Sequence, residues 1–81
     1  MEGIYTRIFD AVLREKGYTT STNNRLYWEY RCSKPGQQNY FLTKTGVLLR
    51  GHLRCRAKPL HPDHFFSWMK EGFKLVSARA K

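Results

Sequence analysis

Residues 40–56 read YFLTKTGVLLRGHLRCR, and the pattern of this stretch decides the expected fold. The Thr-Gly pair at 45–46 is typical of a tight turn, so it predicts a hairpin with strands at Tyr40–Lys44 and Val47–Arg56. Side chains alternate between the two faces of a strand, and one set here is apolar. This inward set is expected to comprise Tyr40, Leu42, Val47, Leu49, Leu53 and Cys55.

The other face of the hairpin is expected to be open and basic. If the turn has two residues, Leu42 lies opposite Leu49. Tyr40 then covers the bare backbone of Gly51, a pairing that offsets the missing side chain. A bulge at Gly46 or Gly51 would instead reverse the two faces beyond it. Without a bulge, the outward side chains of the hairpin are Arg50, His52, Arg54, Arg56, Phe41, Thr43 and Leu48.

A further strand is expected upstream at Leu26–Cys32, where the sequence LYWEYRC is rich in aromatic residues. The segment SKPG at 33–36 joins it to the hairpin as a turn, because proline fixes φ and glycine supplies the unusual backbone angle. By parity, the inward side chains of this strand are Leu26, Trp28, Tyr30 and Cys32. Those on the basic face are Tyr27, Glu29 and Arg31.

Two amphipathic helices are expected to flank the strands. Glu2–Lys16 carries an apolar stripe at helical spacing, and Gly17 is a natural left-handed cap. Pro62 suits the first position of a second helix, which is expected to end at Glu71 before a cap at Gly72. The first stripe comprises Ile4, Tyr5, Ile8, Phe9, Val12 and Leu13, and the second comprises Phe65, Trp68, Met69 and Phe73, with Phe66 off the stripe.

These elements predict one α+β domain over residues 1–81. Its order is α-β-β-β-α: a small three-stranded antiparallel sheet with two helices on one face, and a frayed tail at 77–81. A chain of 81 residues is too short for a large multi-layer enzyme fold. No window approaches the ~18 apolar residues of a membrane span, and the start lacks the pattern of a secretory signal. We therefore expect a cytoplasmic protein with reduced thiols at Cys32 and Cys55.

Charge is the most informative property of the composition. The chain has 15 Lys and Arg against six Asp and Glu, which leaves a formal net charge of +9. Residues 18–60 hold eight Lys and Arg and one acid, Glu29, so this segment accounts for +7 of the total. Cations at alternate positions of one strand repel one another, and a partner with regularly spaced phosphates relieves that repulsion.

These observations predict a small, non-catalytic, nucleic-acid-binding protein, with the choice between DNA and RNA open. No cofactor is expected. Arginine makes bidentate contacts to phosphate and to guanine edges, and aromatic side chains on the same face would stack on exposed bases. The expected contacts are Arg31, Lys44, Arg50, His52, Arg54, Arg56 and Lys58, with Tyr27 and Phe41 as stacking residues.

Other interpretations stay open for the same residues. The basic face would also suit an acidic protein partner that the chain inhibits, or would simply keep a small protein soluble. Glu29 and His52 share the outward face and would suit phosphodiester cleavage, whereas Glu29 paired with an arginine would be structural. An exposed Phe66 would mark a homodimer or partner contact. A tetrahedral zinc site would use His52, Cys55, His61 and His64.

The order helix, three strands, helix resembles in outline that of the double-stranded-RNA-binding domain, which reads RNA shape through helices and loops. It is similar in the same way to that of HicA-type toxin ribonucleases. The resemblance covers only the order of the elements. The second helix begins PDHFF at 62–66, where the first family has a basic cluster. The first strand region begins NRLY at 24–27, without the glycine-serine-histidine segment of the second family.

Overall fold

The computed structural model of the protein describes residues 3–20, 24–32, 34 and 36–79. Five strands form one antiparallel sheet in the order β1-β2-β3-β4-β5, and a helix lies before and after them in the chain. The elements are α1 (Ile4–Glu15), β1 (Thr19–Thr20), β2 (Tyr27–Arg31), β3 (Asn39–Thr43), β4 (Leu48–Gly51), one 3-10 turn (Arg54–Arg56), β5 (Lys58–Pro59) and α2 (Pro62–Arg79).

The predicted α+β class is confirmed, but the predicted sheet of three strands is wrong. The central strands β2, β3 and β4 correspond to the three that were expected. Two strands of two residues each, β1 and β5, extend the sheet at its edges. Both are too short to show the alternation on which strand prediction depends. Neither described helix is long and apolar enough to cross a bilayer.

Helix α1 forms where its apolar stripe predicts. Ile8, Phe9, Val12 and Leu13 are buried, and their spacing of three and four residues places them on one side of the helix. Gly17 has a φ of 92°, so the predicted left-handed cap is confirmed. The expected first residue of the helix, Glu2, lies outside the described residues.

Helix α2 does not stop at Gly72 as predicted. It continues to Arg79, so residues 77–79 are helical rather than part of a frayed tail, and 80–81 lie outside the described residues. Gly72 is buried at the crossing of the two helices. A Cβ atom there would lie 2.5 Å from both the Cγ2 atom and the carbonyl oxygen of Ile8. This glycine therefore allows a close helix contact instead of ending the helix.

The β3–β4 hairpin is one residue out of the predicted register. The backbone N–H of Thr43 donates to the carbonyl oxygen of Val47 at 2.8 Å, so three residues rather than two form the turn. Gly46, with a φ of 95°, takes the left-handed position that a three-residue turn requires. Leu42 consequently lies opposite Leu48, and the predicted pairing of Leu42 with Leu49 is wrong.

This shift reverses the faces of β4, as a bulge would. Leu48 points toward the helices and is buried, although it was predicted on the open face. Val47, Leu53 and Leu26 were predicted inward, yet they are 45 %, 58 % and 75 % exposed. Cys55 is exposed too. The core between sheet and helices is built on Phe9, Leu13, Tyr18, Tyr30, Tyr40, Leu42 and Leu48, with Phe65 and Trp68 of α2 packed against it.

The second face of the sheet is not open. Phe41 and Leu49 pair across β3 and β4 and lie on the side away from the core, yet Phe41 is fully buried. The chain leaves the sheet after Gly51, where the Cα atom of Ala57 would lie 2.9 Å from an added Cβ. Segment 52–57 thus folds back over this face, and the predicted strand Val47–Arg56 is wrong beyond residue 51. The expected cover of Gly51 by Tyr40 is wrong too, since Asn39 lies opposite it.

Candidate nucleic-acid interface

A cavity of about 590 Å³ lies beside β4 and β5, at one edge of the sheet. We call it the edge pocket. Most of its lining comes from β4, β5, the loop between them, and the residues around the start of α2. Its lining includes six cationic or ionisable side chains, namely Arg50, His52, Arg56, Lys58, His61 and His64.

Strand pairing and one tight bend bring these residues together. Arg50 of β4 lies directly opposite Lys58 of β5, so both side chains point to the same side of the sheet. The close approach of Gly51 to Ala57 returns the chain toward β4, which places His52 and Arg56 in the loop that borders the pocket. The lining continues onto the segment that leads into α2.

His61, just before α2, and His64, in its first turn, lie near the acidic residue Asp63. The Nδ1 atom of His61 accepts the backbone N–H of Asp63 at 3.2 Å, and the Oδ2 atom of Asp63 is 3.7 Å from the same nitrogen. The His61 and His64 rings are 6.4 Å apart between centroids.

The electrostatics of the edge pocket are one-sided. None of the described residues that line it is acidic, and Arg50, Arg56 and Lys58 make no ion pair within the described part of the chain. Like charges directly opposite on paired strands are destabilising. A bound anion would remove this cost.

A second, more polar concavity of about 350 Å³ adjoins the edge pocket and shares Gln38, Arg50 and His52 with it. Tyr18 and Gln37 also line it. Burial, followed by the nearby Tyr40, raises the pKa of the Tyr18 phenol, whereas Arg50 lowers it by a smaller amount. Tyr18 therefore presents a neutral hydroxyl beside Arg50 at neutral pH.

The remaining predicted contacts lie elsewhere. Arg31 forms an ion pair with Glu29, with 2.9 Å between Nη2 and Oε1. The guanidinium of Arg54 lies over the Tyr27 ring at 5.4 Å from its centroid, on the face opposite Arg50. The ammonium of Lys44 lies 3.7 Å from the centroid of the Trp28 ring. The predicted single basic face is therefore wrong, because its members are divided between the two sides of the sheet.

The two aromatic residues expected to stack on bases are engaged in packing within the protein. Phe41 is fully buried, so its predicted place on an open face is wrong. The Tyr27 ring packs edge-on against Phe41, with centroids 5.7 Å apart, and Arg54 also lies over it. Both rings serve the packing of segment 52–57 against the sheet.

The sequence did not associate His61 and His64 with the basic residues, because only the fold brings the start of α2 to the β4–β5 edge. Both were instead candidates for zinc. Among the described residues, no group of three or more His, Cys, Asp or Glu is placed to hold a metal ion. Cys32 and Cys55 are free thiols. Glu29, the candidate catalytic acid, accepts hydrogen bonds from Arg31 on the face opposite Arg50.

No protein-family model, curated protein or solved structure is significantly similar to this chain. The function is therefore argued from the chemistry of the site.

Proposed function

We propose that the protein binds nucleic acid through the edge pocket, by contacts to phosphate groups and without catalysis. One observation carries the proposal. Arg50, Arg56 and Lys58 converge on one cavity and have no carboxylate partner among the described residues. Such a cluster is destabilising when it is empty, and each neutralised phosphate would also release counterions.

Several features support a polyanion rather than a single small anion. The cationic lining is distributed over β4, β5 and the loop between them, and it continues into the second concavity through Arg50 and His52. The whole chain carries +9, which attracts an extended polyanion over a longer range than it attracts a monovalent ion. Arginine and lysine are the side chains that most often contact the phosphate backbone.

The proposed mode of binding differs from the one expected from the sequence. Since Phe41 is buried and the Tyr27 ring is packed, base stacking on the sheet is not part of it. Phosphate contacts position a protein on nucleic acid but carry no sequence information. We therefore expect weak sequence preference and a steep loss of affinity as salt is raised.

The test is a titration of labelled oligonucleotides of about 20 nucleotides, longer than the 4–16 that one single-strand-binding fold covers. Fluorescence anisotropy would compare single-stranded and duplex DNA and RNA between about 50 and 200 mM salt. The double variant R50A/K58A should weaken binding to the preferred oligonucleotide about tenfold or more. It should also reduce the slope of log Kd against log salt by about 1 to 2, because each lost phosphate contact removes about one unit.

The matched control is R31A/R54A, which removes the same number of charges from the opposite face of the sheet. This variant should retain most of the affinity. Equal losses in the two variants would show that net charge, not the edge pocket, drives binding. If no oligonucleotide binds at low salt, the proposal is wrong.

A further inference from the structure

An apolar groove lies between α1 and α2. Its volume is about 790 Å³, and its apolar lining comprises Ile4, Tyr5, Ile8, Phe66, Met69 and Phe73. Four of these side chains are substantially exposed: Ile4 by 47 %, Tyr5 by 51 %, Phe66 by 63 % and Phe73 by 59 %. Soluble proteins rarely leave so many large apolar side chains side by side in water unless another surface covers them.

The groove belongs to a second stripe of α2. Phe65 and Trp68 face the core. Phe66, Met69 and Phe73 are spaced by three and four residues, so they lie on another side of the same helix. The described part of the chain packs the first stripe into the core, whereas Phe66 and Phe73 of the second are left 63 % and 59 % exposed.

The rim of the groove is cationic. Lys70 and Lys74 line it one helical turn apart. Neither lysine forms an ion pair with a described residue, and the described lining contains no acid. A partner that fills the groove therefore needs apolar side chains to contact the floor of the groove. It also needs carboxylates to pair with the two lysines at the rim.

We propose that this groove binds an amphipathic helix of another protein, one with acidic residues beside its apolar stripe. Helices commonly dock into apolar grooves through anchors at i, i+3 or i+4, and i+7. A concave site between two helices fits a rod of that kind. The proposal goes beyond nucleic-acid binding, because the groove and the edge pocket share no lining residue.

A second copy of this chain fits the groove less well, because of its charge. Self-association would bring Lys70 and Lys74 of two molecules, each with a net charge of +9, close together.

The probe for the test is a designed, labelled peptide of about 15 residues, or roughly four helical turns, with leucines at i, i+3, i+4 and i+7 and glutamates on the flanks. A second peptide has the same composition in an order that breaks the leucine stripe, and a third has lysines in place of the glutamates. Amide chemical shifts of the full 81-residue chain would be followed during titration. The acidic amphipathic peptide should bind most tightly and perturb the residues that line the groove.

Substitutions on each part of the groove should separate its apolar and charged contributions. F66S/F73S should weaken binding of the acidic peptide about tenfold or more, because central apolar anchors dominate such interfaces. K70A/K74A should weaken it about two- to fivefold, the usual size of exposed ion pairs. R31A/R54A, which alters neither floor nor rim, should bind as the parent protein does.

Three results would each overturn the proposal. In the first, the peptide whose order breaks the leucine stripe binds as tightly as the acidic amphipathic peptide. Charge alone would then account for the attraction. In the second, sedimentation shows a dimer that F66S/F73S abolishes, so that the groove covers a second copy. In the third, the groove residues respond to anionic phosphatidylglycerol vesicles but not to the acidic peptide, so that the cover is a membrane surface. Failure of oligonucleotide binding would leave the groove proposal intact, since the two assays report on different residues.

Discussion

At the scale of single residues, Tyr30 connects the sheet to α1 through a partly buried hydrogen bond. Its side chain is fully buried, and its hydroxyl donates to the Oδ1 atom of Asp10 at 2.6 Å. The same carboxylate accepts hydrogen bonds from the Nε atom of Arg14. Burial, together with the bond to Asp10, raises the pKa of the Tyr30 phenol well above its ordinary value. The folded state therefore holds this proton more tightly than the unfolded chain does.

This bond predicts a specific loss of stability in alkali. Because the folded pKa of Tyr30 is raised, its contribution is fully present below the ordinary value of 10.0 and decreases as pH rises above it. Tyr30→Phe should cost about 1.5–3 kcal/mol at neutral pH, the range for a hydrogen bond to a charged group. It should also make the decline of unfolding free energy above pH 10 shallower. Urea titrations at several pH values measure both effects, and an identical alkaline decline in the variant would contradict the assignment.

At the scale of elements, a close contact at Gly72 sets the distance between α1 and α2. Glycine inside a helix is about 1 kcal/mol less favourable than alanine, so propensity alone favours Gly72→Ala. The new Cβ would lie 2.5 Å from the backbone oxygen of Ile8, which cannot move without moving α1. We expect a net destabilisation of about 1–3 kcal/mol from overpacking.

Thermal unfolding measures the Gly72 effect directly. For a domain of this size, each kcal/mol corresponds to a fall in Tm of about 4–8 °C. Ser67→Ala, at an exposed position of the same helix, is the matched control and should leave the Tm unchanged or slightly raised, because alanine is the better helix former. A higher Tm for Gly72→Ala would mean that the two helices separate at no cost.

The elements also show what the sequence could and could not predict. Helix α1 and its cap at Gly17 were predictable, because a one-sided apolar stripe and a terminal glycine are local signals. The role of Gly72 depends on Ile8, more than sixty positions away, and has no local signature. The Thr-Gly pair at 45–46 fits turns of two or three residues, and that one-residue difference reverses every side chain of β4.

The candidate site was predicted in part, and for the wrong reason. Strand parity was expected to gather Arg50, His52 and Arg56 on one face. The structure brings them to one cavity through the bend after Gly51, and Lys58 reaches it as a cross-strand neighbour of Arg50. The same bend carries Arg54 to the opposite face. A bend of this kind depends on the close contact between Gly51 and Ala57. The alternation of apolar and polar residues along the sequence gives no sign of that contact.

At the scale of the whole molecule, the edge pocket and the apolar groove are separate surfaces of different chemistry. Both proposals together describe an adaptor that connects nucleic acid to a protein. F66S/F73S should keep its oligonucleotide affinity within about twofold, because its changes carry no charge and lie outside the edge pocket. To test whether both surfaces can be occupied at once, binding of a labelled oligonucleotide would be measured by anisotropy while unlabelled acidic peptide is present at a saturating concentration. Displacement of the oligonucleotide by the peptide would show that they overlap.

The outer strand β5 has a consequence for how molecules of this protein meet one another. It consists of Lys58 and Pro59 only. Proline has no amide hydrogen to offer an incoming strand, and a lysine charge repels a second copy that approaches edge-on. We therefore expect that no further strand pairs with this edge of the sheet, so that fibre growth by strand addition does not start there.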